Sequence, residues 1–391
     1  MDSFSGAPSI IIALIIICVV VTGGGGVEGK LVNGAGGGGG CDIFKGSWVY
    51  DESYPPLYDT SLCPFIQKQF NCLPNGREDI NYTKYRWQPS NCNISRFDGK
   101  DFLMRLKGKK VMFVGDSLCN NQWQSLTCLL HVADPNSNYT LQRFGEVSNF
   151  TFPDYNLSVL YHRRMYIVDL ENRILKLDTI SGNAQWKEMD AIIFDTWHWW
   201  FHVGKKQAWD FVKEGNVTYR DGDRLVLYTK ALETWARWVD SEVDMTKTKV
   251  FFQGVSPDHW QDIRGSKPRT CEGAIKPSNA DKSAQPGEVV LKEVIKNMSK
   301  PVYLLDITRL SQYRPDGHPA AYGIGGHISP DCTHWCLPGV PDTWNQLLYN
   351  AITTTTTTTT TKSHIHSLSS RPFCSLFFSA LSASLLPLLW F

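Results

Sequence analysis

Five short, almost continuous apolar runs restrict the fold of this chain more than any other feature of its sequence. Stretches with helical spacing separate them, as in RLVLYTKALETWARWVD, where Leu225, Leu232, Trp235 and Val239 form one apolar stripe. Strands that are apolar throughout are expected where helices cover both faces of a parallel sheet. The pattern therefore predicts a three-layer α/β fold whose ligands bind at the carboxyl ends of the strands. The runs are VMFVG (111–115), MYIVDL (165–170), AIIFDT (191–196), KVFFQGV (249–255) and VYLLDIT (302–308).

Residues 41–97 differ from this pattern, because they are rich in Tyr, Trp, Pro and Cys and show little helical periodicity. We expect a loop-rich segment, pinned by disulfides, that packs on the larger domain at 98–350.

The cysteines suggest four disulfides and one free thiol in an oxidising compartment. A zinc site is the weaker interpretation, because the first four cysteines lack the paired short spacings of such sites. Nine of the eleven cysteines lie between the leader and the tail, and they are Cys41, Cys63, Cys72, Cys92, Cys119, Cys128, Cys271, Cys332 and Cys336.

The two ends of the chain have the composition of targeting or low-complexity segments. An unbroken apolar run from Ile10 to Val21 is short for a membrane span of about 20 residues and predicts a signal peptide or signal anchor at 1–22. A Gly-rich linker follows at 23–40. Residues 351–391 form a low-complexity tail with a nine-threonine tract. That tail is typical of a disordered extension, of sequence beyond the natural stop, or of a GPI-anchor signal.

Glycosylation sequons and charge indicate the compartment and the class of partner. The formal net charge of +1 provides no field to attract nucleic acid, so a neutral partner is expected. The 14 Trp residues are numerous, and exposed Trp rings stack on sugars, although burial in the core explains most of them. Sequons predict passage through the secretory pathway. They start at Asn81, Asn93, Asn138, Asn149, Asn156, Asn216 and Asn297.

The stretch VMFVGDSL ends an apolar strand abruptly at Gly115-Asp116-Ser117. After a parallel strand this position places Ser117 at the crevice where ligands bind. Gly115 permits the tight turn, and a helix that follows Ser117 directs its partly positive N-terminus at the site. Asp116 is better suited to support the turn than to react. A serine nucleophile also needs a base, and the motif taken alone is more often a helix cap.

A base for Ser117 is available in SPDCTHWCLPG at 329–339. Asp331 and His334 are three residues apart, so both can point the same way on a helical turn or tight loop. The carboxylate could then hold the imidazole tautomer while the other ring nitrogen accepts the serine proton. An isolated D-x-x-H is more often a surface pair with no role, but together with strand-GDS-helix it favours a Ser-His-Asp triad. Such a triad needs no metal ion.

GDS near the start and D-x-x-H near the end resemble the SGNH/GDSL hydrolases. Over about residues 41–349 the chain also resembles the plant trichome-birefringence-like, or powdery-mildew-resistance, family of cell-wall polysaccharide O-acetyltransferases. The resemblance implies an SGNH-like catalytic domain with a family-specific N-terminal segment, located in the Golgi membrane and facing the lumen. The matching blocks are CDIFKGSWVYDESYPPLYD, CPFIQKQFNC, NGREDINYTKYRWQPSNC, VMFVGDSLCNNQWQSLTCLL, DTWHWW and DCTHWCLPGVPDTWNQLLY.

The resemblance assigns the nucleophile to Ser117, the general base to His334 and the orienting acid to Asp331. It implies a double displacement, in which Ser117 takes an acetyl group and a sugar hydroxyl then receives it. The acceptor would be a pectin, xylan or mannan. No bound cofactor is expected, and acetyl-CoA is a candidate acetyl donor. The N-terminal segment would associate with the membrane if uncleaved, and the protein would be secreted if the leader is removed.

The oxyanion of this reaction needs hydrogen-bond donors. The Ser117 backbone N–H, after Gly115 and Asp116, is one of them, and SGNH enzymes commonly add an Asn side chain after a central strand. At that place the chain has Asp195, which as an ionised carboxylate only accepts hydrogen bonds. The sequence therefore does not settle the second donor.

Other polar and aromatic residues near strand ends are candidates for contact with the acceptor. For each of them a place in the core or in a loop is a comparable interpretation. They are His198, Trp199, Trp200, Gln253, His259, Arg314 and His318.

The resemblance also implies the pairs Cys41–Cys92, Cys63–Cys128, Cys72–Cys336 and Cys271–Cys332, with Cys119 free. Two other functions compete with the transferase. A polysaccharide acetylesterase would use the same triad with water as the acceptor, and a noncatalytic wall-polysaccharide binding protein would retain only a decayed site.

Overall fold

The computed structural model describes residues 41–259, 271–278 and 283–363, and side chains as far as residue 353. The predicted leader at 1–22, the linker at 23–40 and the part of the tail after residue 363 lie outside the described residues.

The described residues form thirteen β-strands and six α-helices. The strands are β1 (Gly46–Tyr50), β2 (Tyr85–Pro89), β3 (Lys110–Gly115), β4 (Thr140–Phe144), β5 (Val147–Phe152), β6 (Leu157–Arg163), β7 (Asp169–Glu171), β8 (Ile174–Lys176), β9 (Ala191–Asp195), β10 (Phe211–Glu214), β11 (Val217–Tyr219), β12 (Lys249–Gln253) and β13 (Tyr303–Leu305). The helices are α1 (Gly99–Arg105), α2 (Ser117–Ala133), α3 (Arg224–Glu242), α4 (Pro286–Lys296), α5 (Thr308–Gln312) and α6 (Val340–Ser363).

A seven-stranded sheet in the order β13-β12-β9-β3-β6-β5-β4 organises the larger domain. Its strands β6, β3, β9, β12 and β13 run parallel, and the hairpin β4–β5 adds an antiparallel edge. At the carboxyl end of β3, Gly115 is in register with Asp195 of β9 and with Arg163 of β6. The strand that precedes Ser117 therefore ends in the middle of the sheet, where a crevice can form.

Alternate residues of the parallel strands enter two separate cores. Phe113 and Ile193 face the first core, together with Trp344 of α6 and the apolar residues of α1, α2 and α5. Val114 and Phe194 face the second core, where α3 and α4 pack. Helices thus cover both faces of the sheet, which confirms the predicted three-layer fold.

One predicted strand is wrong. The run at 165–170 is not part of the main sheet, because β6 ends at Arg163 and residues 165–168 form a bend. Tyr166, Ile167 and Val168 are nevertheless buried in the second core. Only Asp169 and Leu170 are in a strand, β7, which belongs to a small separate sheet of the order β11-β10-β8-β7. The run is apolar because it is buried, and not because it is extended.

The N-terminal segment is held to the larger domain by disulfides with the pairing that the resemblance implies. Cys63–Cys128 joins it to α2, and Cys72–Cys336 joins it to the loop before α6. Cys41–Cys92 closes the segment on itself, and Cys271–Cys332 lies within the larger domain. Cys119 is free and buried.

Helix α6 continues further than the composition suggests. It runs from Val340 to Ser363 and includes all nine residues of the threonine tract. Ala351 and Ile352, the first two residues of the predicted tail, are 3% and 7% exposed in the first core. None of the described helices is both long and apolar enough to cross a bilayer.

Asp342, in the first turn of α6, makes the stability of the fold depend on pH. It is buried and accepts hydrogen bonds from the Tyr58 hydroxyl (2.8 Å), the Ser125 hydroxyl (2.5 Å) and the Gly339 N–H (2.7 Å). Burial raises the pKa of Asp342 to about 6, although the Ser125 hydrogen bond opposes the rise. The native state therefore keeps a proton that the unfolded chain, with a pKa of about 3.9, releases.

We expect the free energy of unfolding to be about 1 kcal/mol higher at pH 5 than at pH 7 from Asp342 alone. The stabilisation is complete below about pH 4 and is lost as the pH rises through the folded-state pKa. Denaturant titrations at the two pH values measure it, with Asp342→Asn as the variant that cannot titrate. An equal pH dependence in both proteins would contradict this role.

Candidate active site

Ser117 is the one accessible residue in a long buried stretch. Every residue from Val111 to Leu130 is buried except Ser117. Ser117 begins α2, and the Asp116 carboxylate caps that helix by accepting the Leu118 N–H at 2.8 Å. The side chain of Ser117 is therefore presented to solvent from the positive end of a helix, on a rigid strand-helix junction.

His334 and Asp331 lie on the loop at 331–338, hereafter the histidine loop. His334 Nε2 is 2.8 Å from Ser117 Oγ, and His334 Nδ1 is 2.8 Å from Asp331 Oδ2. Asp331 Oδ1 also accepts the backbone N–H groups of Thr333 and His334, at 3.0 Å each. Burial alone would raise the pKa of Asp331, but the His334 hydrogen bond and the other donors hold it well below its usual range. Asp331 is thus ionised and fixes a proton on His334 Nδ1, leaving Nε2 to accept the serine proton.

Asn121 connects the two halves of this array. It lies one helical turn after Ser117 and is fully buried. Its Oδ1 accepts the Trp335 N–H at 2.7 Å, and its Nδ2 donates to the Trp335 carbonyl at 3.1 Å. Helix α2 therefore carries the serine and also holds the peptide that follows His334. Asn121 is not among the residues predicted from the sequence, although its i+4 spacing from Ser117 was a usable signal.

We expect Asn121→Asp to lower the rate at which Ser117 reacts by about 100-fold, the cost of roughly 1 Å of misplacement. The new carboxylate oxygen would face the Trp335 carbonyl, so two acceptors would meet where a hydrogen bond existed. Rates of covalent labelling of Ser117 by a fluorophosphonate, per folded protein, measure the effect. Asn120→Asp is the matched control, because the Asn120 side chain bonds to Gln67 and Gln124 and not to the histidine loop. Wild-type labelling of Asn121→Asp would show that Asn121 positions nothing.

The N-terminal segment supports the histidine loop from behind. The buried Phe70 ring lies 5.5 Å from the His334 ring, and the Leu337 N–H donates to the Phe70 carbonyl at 2.8 Å. Cys72–Cys336 is two residues from His334, and Cys271–Cys332 is two residues from it on the other side. Two covalent bonds thus flank His334 and restrict the movement of its backbone.

Asp195 lies deep beneath the serine. It is 1% exposed, is level with Gly115, and accepts a long hydrogen bond (3.4 Å) from Gln253 Nε2. Burial, with the negative charge of Asp116 nearby, raises the pKa of Asp195 well above its usual value. These surroundings favour the protonated acid, which has an O–H to donate.

His198 lies close enough to His334 for the charges of the two rings to interact. It is half-buried, at the start of the 3-10 helix His198–Phe201. Burial, together with the nearby charges of His202 and His334, lowers the pKa of His198 to about 4. The imidazole is therefore neutral at ordinary pH and can donate one N–H. Half-buried Trp199 follows it.

Four of the residues predicted to contact the acceptor are inaccessible to it. Trp200 packs among Tyr166, Trp209 and Tyr228 in the second core. Gln253, Arg314 and His318 are at most 1% exposed. Arg314 pairs with Asp316 (2.9 and 3.0 Å) inside the junction with the N-terminal segment. The four are Trp200, Gln253, Arg314 and His318. They are aromatic or polar because of internal contacts, so their interpretation as acceptor contacts is wrong.

The accessible array can activate a serine hydroxyl and transfer an acyl group through it. Residues 94–351 match the family described as PC-Esterase, a GDSL/SGNH-like acyl-esterase family found in Pmr5 and Cas1p. The chain belongs to this family. Residues 39–93 match the PMR5 N-terminal domain. Membership in the PC-Esterase family indicates that the protein is an acyl-transfer enzyme.

Curated relatives from Arabidopsis thaliana are similar in sequence to this protein over most of its length. Protein trichome birefringence-like 43 is 53% identical over 324 residues, which cover 80% of this chain and 88% of the relative. Protein trichome birefringence-like 41 is 50% identical over 321 residues, covering 80% and 90%. Protein trichome birefringence-like 4 is 38% identical over 354 residues, covering 83% and 77%. The resemblance seen in the sequence blocks is thereby confirmed.

Proposed function

We propose that this protein is an O-acetyltransferase that moves an acetyl group to a hydroxyl of a plant cell-wall polysaccharide through an acetyl ester on Ser117. The observation that carries the proposal is the contact of Ser117 Oγ with His334 Nε2 at 2.8 Å, with Asp331 on the opposite ring nitrogen at 2.8 Å. Family membership supports acyl transfer as the class of reaction.

In the first half of the reaction Ser117 Oγ attacks the acetyl carbonyl of the donor while His334 Nε2 takes the hydroxyl proton. The donor's leaving group then departs with that proton, and an acetyl ester remains on Ser117. In the second half His334 removes the proton of a sugar hydroxyl, whose oxygen attacks the ester. His334 returns its proton to Ser117, and Asp331 stabilises the imidazolium present in each half.

The negative charge that develops on the acetyl oxygen needs donors. The Ser117 N–H is one donor in this proposal. The surroundings of Asp195 and His198 support two candidates for the second, because a protonated acid and a neutral imidazole each have a hydrogen to donate. His198 is the stronger candidate, because it is half-buried whereas Asp195 is only 1% exposed.

The location and the substrates belong to the same proposal. We place the protein in the Golgi, with its catalytic domain in the lumen and its N-terminal apolar run as anchor or cleaved leader. Four disulfides, and exposure of all the sequon asparagines except the half-buried Asn149, support a glycoprotein of the secretory pathway. The acceptor is a pectin, xylan or mannan, and acetyl-CoA is the proposed donor.

An acetylesterase is the second candidate, and the acyl-esterase description of the family favours it. The test incubates the protein with acetyl-CoA and, separately, xylan, homogalacturonan and mannan oligosaccharides, and reads the mass of each sugar. A gain of one acetyl group on one oligosaccharide supports the transferase and names its acceptor. Loss of acetyl from pre-acetylated oligosaccharides, with no gain on any acceptor, would make the protein an esterase. Tight sugar binding without either change would leave only a binding protein.

A further inference from the structure

Two histidines lie in series behind the histidine loop, away from Ser117. His318 Nδ1 is 2.6 Å from the backbone carbonyl oxygen of His334, and His318 Nε2 is 2.6 Å from His259 Nδ1. At the far end, His259 Nε2 is 2.9 Å from the Gln312 carbonyl oxygen. A continuous path of hydrogen bonds thus runs from Gln312 through two imidazoles to the main chain of His334.

The number of protons on this path follows from its two ends. A carbonyl oxygen can only accept a hydrogen bond, so the outer nitrogen of each ring must carry a hydrogen. The two inner nitrogens, 2.6 Å apart, need one further hydrogen between them, because two lone pairs would otherwise face each other. Three hydrogens on two imidazoles are one more than two neutral rings hold.

We propose that His259 and His318 form a positively charged pair that shares one extra proton and positions His334 by holding its backbone carbonyl. This inference rests on the proposed function, because it assigns His334 the role of base. His318 is a positioning residue in this account, since it touches the backbone of His334 and not the reacting atoms.

The extra proton belongs to His259. His318 is 1% exposed, and its burial together with the neighbouring His259 lowers its pKa well below the ordinary value. His318 is therefore the neutral ring, donating from Nδ1 to His334 and accepting at Nε2 from His259. His259, which is only partly buried, donates from both nitrogens.

The groups around the pair fit this arrangement. The Trp335 ring stacks on His318 with the centroids 4.1 Å apart, and its indole N–H donates to Ser256 at 2.9 Å. The Arg77 guanidinium faces the His318 carbonyl (3.0 Å) and not the ring. Among the described residues, the negative charge of Asp331 acts on His318, and the exposed Asp258 is the chain neighbour of His259.

The pair completes a set of restraints on two consecutive peptides. Asp331 accepts the His334 N–H, and Asn121 holds both the N–H and the carbonyl of Trp335. The His334 carbonyl is the remaining backbone group between them, and His318 is its partner. Without that donor a buried carbonyl would be unsatisfied, and the loop would relax towards another partner.

Three variants of His318 separate the parts of the proposal. Asn places its amide nitrogen near the position of Nδ1, so His318→Asn keeps the donor to His334 and loses the contact with His259. Gln places its amide nitrogen near Nε2, so His318→Gln has the opposite effect, and His318→Leu removes both. We expect fluorophosphonate labelling of Ser117 to slow by about 100-fold in His318→Leu and His318→Gln, and His318→Asn to recover most of the rate.

Histidine ¹⁵N NMR of the wild-type protein near pH 7 provides a readout that is independent of activity and of the variants' folding. We expect one ring, assigned to His259 by its loss in His259→Asn, to carry hydrogen on both nitrogens, and the His318 ring to carry it on Nδ1 only. Two singly protonated rings would overturn the charged pair. Equal labelling rates in His318→Leu and His318→Asn would overturn the positioning role. If the wild-type Ser117 does not label at all, the proposed function fails instead.

Discussion

Replacing Ser117 with alanine should abolish acetyl transfer, with kcat lowered by about 10⁶-fold, the loss typical of a serine nucleophile. Ser117 is the accessible residue of the β3–α2 junction, and its Oγ is the atom within 2.8 Å of His334 Nε2. The alanine side chain keeps the volume of the turn and the helix cap from Asp116, so the fold should be unchanged. Transfer to the acceptor identified by the oligosaccharide panel is the measurement.

Sugar binding and the thermal unfolding midpoint of Ser117→Ala are measured beside its activity, because both should remain at the wild-type level. Ser61→Ala is the matched control, since Ser61 is an exposed serine of the N-terminal segment. Transfer at more than about a thousandth of the wild-type rate would contradict a nucleophilic Ser117, because residual catalysis without the nucleophile is far smaller than that.

Asp331→Asn should lower kcat by about 10⁴-fold while leaving the backbone in place. The Asn oxygen can still accept the N–H groups of Thr333 and His334, as Asp331 Oδ1 does at 3.0 Å. Its amide N–H, however, would face His334 Nδ1 and make that nitrogen an acceptor. The ring proton would move to Nε2, where it points at Ser117 and cannot take the serine proton.

The tautomer change should appear in kcat rather than in KM, because Asp331 holds the base and touches no substrate. Asp210→Asn is a suitable control, since Asp210 pairs with Arg173 on the surface. Because the pKa of Asp331 is held well below its usual range, protonation of this carboxyl does not cause any loss of activity between pH 5 and 7. A kcat within about tenfold of wild type for Asp331→Asn would remove the orienting acid from the mechanism.

The sequence predicted the sheet well where strands lie between helices. The runs at 111–115, 191–196, 249–255 and 302–308 correspond to β3, β9, β12 and β13, with differences of one to three residues at the ends. The run at 165–170 failed because burial alone also favours apolar residues, and Ile167 adopts a positive φ of 62° that ends any strand. Strand β6, LSVLYHR, was missed because polar residues interrupt its apolar positions.

The array around Ser117 could be predicted because its members fall in two short motifs at the ends of elements. Its surroundings could not, since burial in loops depends on packing between distant parts of the chain. Arg314 and His318 stand in RPDGH like residues of a crevice, yet Arg77 and Tyr82 of the N-terminal segment cover them. The ionisation of Asp195 was likewise beyond the sequence, because it depends on burial next to Asp116.

Mass spectrometry of the Ser117 peptide tests the central claim most directly. The disulfide-bonded protein would be mixed with an activated acetyl donor, with acetyl-CoA in parallel, and quenched in acid before any acceptor is added. We predict that the peptide carrying Ser117 gains the mass of one acetyl group, that the adduct is absent from Ser117→Ala, and that it disappears when the true acceptor is supplied. Acetyl transfer to sugar without any adduct on Ser117, or with an adduct on another residue, would contradict the account.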